Sequence, residues 1–211
     1  MNIGRLRLTR VLCSFAALLA VDACGTTAPS RFYTLSSIPP EPSLASPTPD
    51  DGRDLRRPTV LVGAIEMPQT LDRPQFVRRS GPNTIELAEL DRWSEPLDGM
   101  IRRSLADDLT ARLPRFRVLT SVLPAVPIDH TLTLEIDRFE ADAAGIVRLN
   151  AQWFVLSDRV AAPRVSRRST IEERAAGGDT EAIVVAMSRA LAVLSGEMAS
   201  ALSGLPPVSS K

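Results

Sequence analysis

Cysteine and histidine are almost missing from this chain: its 211 residues include two cysteines, Cys13 and Cys24, and one histidine, His130. A zinc centre would therefore need three carboxylates around one imidazole, an uncommon donor set, and His130 is expected to be a satisfied residue at a strand end. Neither a Gly-x-Ser-x-Gly elbow nor a phosphate-binding loop occurs, which leaves no motif for a serine nucleophile or a nucleotide. Excess charge of one sign is also lacking. The 25 basic and 25 acidic residues cancel, whereas a nucleic-acid-binding face needs a basic surplus. Lysine is confined to Lys211 and aromatics make up 4% of the chain, but 44% is hydrophobic, enough for a core. The expectation is a protein without catalytic residues, metal or nucleic-acid partner.

What is present begins with Arg5, Arg7 and Arg10, followed by an apolar run of 11 residues from Val11 to Val21 broken only by Ser14. A bilayer-spanning helix needs about 20 residues, so the run reads as the core of a removable signal peptide. Val21-Asp22-Ala23-Cys24-Gly25 resembles the bacterial lipobox, in which the cysteine receives diacylglycerol and an N-acyl chain, palmitate among them. Asp22 departs from the pattern, since that position usually holds a small or hydroxylic residue. The alternative is an ordinary signal peptidase site that leaves Cys24 an incidental thiol. Cys13 would leave with the leader, and a lone thiol in an oxidising compartment is a liability that a thioether-linked lipid removes. Gly25, rather than Asp, after the cysteine favours anchoring at the periplasmic face of the outer membrane. Cleavage after residue 23 takes Arg5, Arg7, Arg10 and Asp22 away, leaving 188 residues with 22 basic and 24 acidic.

Four regions follow: signal peptide 1–23; a lipidated N-terminus, short strand and Pro-rich linker over 24–58; an α/β domain over 59–205; and a loose tail over 206–211. Residues 31–35 have strand character. Ser36 to Pro58 holds six prolines and is expected to be extended and unpacked. Thr59 to Met67 reads as a buried strand, and 75–79 with 84–88 as a hairpin closed by Ser80-Gly81-Pro82-Asn83. Leu97, Ile101, Leu105, Leu109 and Leu113 repeat every four residues, which predicts a helix with Ser94 as N-cap and Pro114 at its end. A short strand at 117–120 precedes an antiparallel meander of 130–139, 146–156 and 164–174, the last a polar edge strand. In the middle strand Val147, Leu149, Ala151, Trp153 and Val155 share one face. In the first, Arg138 is expected to continue the face of Leu132, Leu134 and Ile136, with Phe139 opposite. Ile183, Met187, Leu191, Leu194, Met198 and Leu202 form a second helical stripe, starting near Asp179. The order predicts an α/β fold with a mixed, largely antiparallel sheet flanked by two amphipathic helices.

The polar groups offer few sites. Asp107-Asp108 and Glu172-Glu173 read as solvated charges rather than acid/base pairs. Gly177-Gly178 reads as a flexible helix entry or as an anion-holding helix N-terminus. Two segments stand out: Leu71-Asp72-Arg73-Pro74-Gln75 ahead of a strand, and Leu90-Asp91-Arg92-Trp93-Ser94-Glu95-Pro96 ahead of the first helix. Arg92 beside Trp93 offers stacking or cation–π contact, with carboxylates nearby. These loops are either an interaction surface or locally braced turns that pack the tryptophan. Phe154 and Leu156, apolar on an otherwise polar strand face, either contact a partner or lipid or lie beneath a helix.

Tyr33-Thr34-Leu35, Leu71 to Arg79, Asp91 to Leu97 and Leu105-Ala106-Asp107-Asp108-Leu109, taken in order, resemble the ABC-type transport auxiliary lipoproteins, the PqiC-like group. The resemblance implies a fold similar to the TolB N-terminal domain and a periplasmic lipoprotein encoded with an ABC permease, an ATPase and an MCE-domain protein. Such systems move phospholipid or other lipid between membranes, and a homo-oligomeric ring docked on the MCE assembly is implied as well. The contact residues this points to are Leu71, Asp72, Arg73, Pro74, Arg92, Trp93, Glu95, Phe154 and Leu156, with Cys24 lipidated and no cofactor beyond that lipid. An envelope scaffold without lipid contact is the alternative.

Overall fold

Every second residue of one twelve-residue strand disappears into the core, and the sheet is organised around that alternation. The computed structural model describes residues 28–40, 57–157 and 160–206; the expected signal segment, Cys24 and most of the Pro-rich stretch and tail lie outside them. Eight strands and two helices follow in chain order: β1 Arg31–Tyr33, β2 Thr59–Glu66, β3 Gln75–Gly81, β4 Thr84–Trp93, α1 Leu97–Arg112, β5 Arg117–Leu119, β6 His130–Asp142, β7 Ile146–Ser157, β8 Val160–Arg174 and α2 Thr180–Ser203. In β7 the inward set Val147, Leu149, Ala151, Trp153 and Val155 is fully buried, while its alternate residues are only half covered. A period of two on a sheet with one packed face gives this pattern.

The eight strands form one mixed sheet. Along one edge of β6 runs β7, and beyond it β8, both antiparallel. Along the other edge the long β6 is shared: β2 pairs parallel with its first half, and β3 with Ala141 and Asp142 near its end. β5 extends the β2 branch in parallel, whereas β4 and then β1 extend the β3 branch. The long ladders are antiparallel and the short ones parallel, because β2, β3 and β5 return through helix or loop crossovers rather than tight turns. β8 has a single partner strand and is the polar edge expected.

The helices pack against each other and the sheet, burying both stripes. Leu97, Ile101, Leu105, Leu109 and Leu113 of the first stripe, and Ile183 to Leu202 of the second, are all buried. α2 is long and apolar enough to cross a membrane by composition, but most of it is buried within the fold. Asp179 accepts from the Ala182 amide at 2.8 Å and caps α2. The start of α1 differs from expectation. Pro96 stands at the cap position with no side-chain cap, and Ser94 turns its Oγ to Met100 Sδ at 3.7 Å instead. β4 continues to Trp93, so the segment before the helix is strand rather than loop.

Two further corrections have local causes. A bulge between Ile136 and Arg138 reverses the alternation of β6, so Phe139 is buried and Arg138 faces outward. Residues 36–38 are pinned rather than unpacked. The Ser36 amide donates to Ser188 Oγ at 3.1 Å, and the Ser104 hydroxyl donates to the Ser36 carbonyl at 3.4 Å. Ser37 Oγ and the Ile38 amide both donate to Asp108 Oδ1, at 2.7 and 2.8 Å. Asp108 is 0% exposed, so of the two carboxylates expected in solvent only Asp107 is there. Burial pushes the Asp108 carboxyl above its usual range against these hydrogen bonds. The segment after β1 is thus a strap across both helices. Asp108→Ala strands two donors and is expected to cost about 1–3 kcal/mol, read from the urea unfolding midpoint at constant slope.

Candidate functional site

The two segments singled out in the sequence meet in the fold. After β2 the chain turns at Pro68, whose carbonyl accepts from the Leu71 amide at 2.9 Å, and the Arg73 amide donates to the Leu71 carbonyl at 2.9 Å. The Trp93 amide then donates to the Pro74 carbonyl at 2.7 Å, and the Ser94 amide to the Tyr33 carbonyl at 2.9 Å. The indole of Trp93 lies 5.1 Å from the Phe76 ring, tilted by 52°, and is 5% exposed. Leu71, also 5% exposed, belongs to the same core. These two side chains shape the loops from below and offer no contact area of their own.

Asp72, Pro74 and Glu95 are exposed, and Arg73 and Arg92 half-buried. Glu95 pairs with Arg103 of α1 at 2.7 Å, both side chains about half exposed. Arg92 does not stack on Trp93: neighbours in a strand point to opposite faces, and its Nε donates to the Glu89 carbonyl at 3.2 Å. Arg78 instead places its guanidinium over the Phe76 ring, 5.8 Å from the centroid. A small polar surface results, held rigid by a buried aromatic pair. Phe154 and Leu156 are not part of it. They sit half-buried on β7, paired with Thr133 and Thr131 of β6. Their strand face is opposite that of Trp153, so they do not lie beneath α2.

Asp91, inside the second segment, was not separable by sequence from its charged neighbours. It is 6% exposed and ties three elements. Arg31 Nε of β1 donates to its Oδ1 at 2.8 Å, and the Thr180 hydroxyl at the start of α2 donates to Oδ2. Arg78 in turn donates to Thr180 Oγ1 at 3.0 Å and to the Gly178 carbonyl at 2.9 Å. The helix entry at Gly177-Gly178 is therefore braced by an arginine and capped by Asp179, which takes the place an anion would occupy. The only sequence signal for Asp91 was its position one residue from an arginine and two from a tryptophan.

At the far turns of the sheet a group of charges is internally matched. A shallow cleft of about 320 Å³ at the β3–β4 and β6–β7 turns is lined by Arg79, Arg138 and Arg148. Arg79 and Arg138 both reach Glu140, and Arg148 reaches Asp142 and Glu172, so three guanidiniums face three carboxylates. Glu173 pairs with Arg189 at 3.0 Å. Among the described residues no three His, Cys, Asp or Glu side chains gather as metal ligands.

His130 is 3% exposed and its Nδ1 has no hydrogen-bond partner, contrary to the satisfied histidine expected. Burial lowers its pKa, opposed by Asp129 and assisted by Arg164. The unfolded chain therefore takes up the proton first, and stability falls as pH drops below the ordinary value of about 6.5 toward the lowered one. Urea unfolding of the wild type against His130→Gln should show that loss only in the wild type, at no more than about 1.4 kcal/mol per pH unit for one proton.

The chain matches the family described as ABC-type transport auxiliary lipoprotein component over residues 33–199. Among curated protein sequences none matches it. In three dimensions it is similar to an uncharacterised protein, with a TM-score of 0.68 at 17% identity, covering 83% of this chain and 99% of that one. It is also similar to a Xanthomonas campestris protein of the DUF330 family, with a TM-score of 0.63 at 20% identity, covering 82% and 96%. At these identities the likenesses establish the fold.

Proposed function

The chain belongs to the ABC-type transport auxiliary lipoprotein component family, and from that premise we propose that it is an outer-membrane-anchored, non-catalytic docking or conduit subunit of an ABC/MCE-type system that moves lipid between membranes. The observation that carries the reading is the junction of the two motif segments. The Trp93 amide and Pro74 carbonyl lock them together at 2.7 Å, and Phe76 backs the indole, so Asp72, Pro74 and Glu95 are presented on a preorganised surface. Rigid display of a few polar groups around a buried aromatic suits a protein partner, because little conformational freedom is lost on binding. Anchoring at the outer membrane is supported by Gly25 after Cys24. A non-catalytic role is supported by the matched charges of the cleft and by the family's auxiliary description.

The test is to extract the acylated protein without denaturation, capture it by a C-terminal tag, and identify co-isolated proteins and lipids by mass spectrometry. An MCE-domain protein together with phospholipid is the expected result. Recovery of envelope proteins without either would move the assignment to a scaffold lipoprotein.

A further inference from the structure

Two apolar side chains near the sheet's β1 edge are exposed, beside the half-buried Arg92. Phe32 is 65% exposed and Leu90 39%. Phe32 pairs in register with Arg92, which places those two side chains on the same face. Leu90 lies two residues before Arg92, in the irregular stretch of β4 between Ala88 and Arg92, and is exposed beside the same edge. The opposite face at this edge carries Arg31, Asp91, Tyr33 and Trp93, whose contacts with α2 and the core are already filled. An exposed phenylalanine and leucine flanked by arginine is the mixture that lies stably at a bilayer's headgroup level.

The length of chain before β1 says which surface is within reach. From Cys24 to Arg31 is seven residues, about 25 Å even when fully extended. β8, at the opposite edge, lies five strand spacings away through β7, β6, β3 and β4, about 24 Å farther at 4.8 Å per strand. A lipid on Cys24 thus keeps the β1 edge within about 25 Å of the bilayer and makes β1 the strand of the sheet nearest the anchor along the chain.

Resting on the lipoprotein reading above, we infer that the β1 edge, through Phe32, Leu90 and Arg92, rests on the headgroup surface of the same membrane that holds the chain's own lipid. The domain is then oriented by its anchor rather than swinging from it. Its apolar tips enter the headgroup boundary by about 5–10 Å.

The test uses the acylated chain in vesicles of phosphatidylethanolamine and phosphatidylglycerol, with a nitroxide placed by Phe32→Cys, Leu90→Cys or, as the far-edge control, Thr170→Cys. The thioether at Cys24 leaves the new thiol as the sole labelling site. Power saturation should show a several-fold higher ratio of oxygen to nickel-chelate accessibility at positions 32 and 90 than at 170. Equal ratios in chains that sediment with the vesicles would overturn the docking while leaving the anchor intact. Shielding from both reagents would reveal a protein contact and overturn it equally. Mature chains found to carry no acyl group would overturn the anchor first, and the docking with it.

Discussion

Replacing Cys24 with alanine is expected to leave an uncleaved precursor, abolish acyl labelling and remove the folded domain from its site of action. The reasoning is covalent and energetic. Each buried CH₂ contributes about 0.8 kcal/mol to membrane attachment, and stable anchoring takes more than one chain, so losing the acylation site forfeits nearly all of the affinity. The domain itself should unfold at an unchanged denaturant midpoint. Asp22 departs from the lipobox pattern that residues 21–25 resemble, and Asp22→Ser is expected to speed maturation in a pulse-chase. Normal acylation of Cys24→Ala would refute the assignment.

The second large effect is Trp93→Ala, expected to cost about 3–5 kcal/mol in urea unfolding, the range for deleting a buried aromatic. Trp93 is 5% exposed, packs on Phe76 and stands between Asp91 and the loop carrying Asp72 and Pro74. Its removal leaves a cavity under both motif segments, so partner binding should fall even where the domain is kept folded at low temperature. Trp93→Phe, which retains a ring, should lose much less. Arg92→Ala should stay within about 0.5 kcal/mol, as surface changes do. A loss below about 1 kcal/mol for Trp93→Ala would mean that the motif is not built around the indole.

The contrast between adjacent Arg92 and Trp93 shows where sequence reading stops. Alternation made β7 legible residue by residue, since each inward position is apolar, and both helical stripes were legible through their spacing. Phe139 was misplaced because a bulge needs only one extra residue and leaves no mark in the pattern. Asp108 was misread because a carboxylate in a helix looks solvated until its partners are known. Those partners, Ser37 and Ile38, lie about 70 residues away in sequence and across a Pro-rich stretch. The forked sheet was hidden for a similar reason: parallel pairing of β2 and β3 along one edge of β6 is set by long-range contacts, whereas the β6–β7–β8 meander follows from local turns. Of the candidate site, the motif segments and their tryptophan were visible. Their division into buried brace and exposed display was not, because it depends on which side of β4 the helices occupy.

The central claim is that the braced surface at Asp72, Pro74 and Glu95 is where the partner docks. It is tested most directly by placing a photo-crosslinking amino acid at Asp72 or Glu95, with Thr170 on the opposite edge as control, in intact cells. An adduct to an MCE-domain protein from Asp72 and Glu95, absent from Thr170, is the predicted result. Adducts to that protein from Thr170 alone, or from none of the three positions while the acylated chain is present at its normal level, would contradict it.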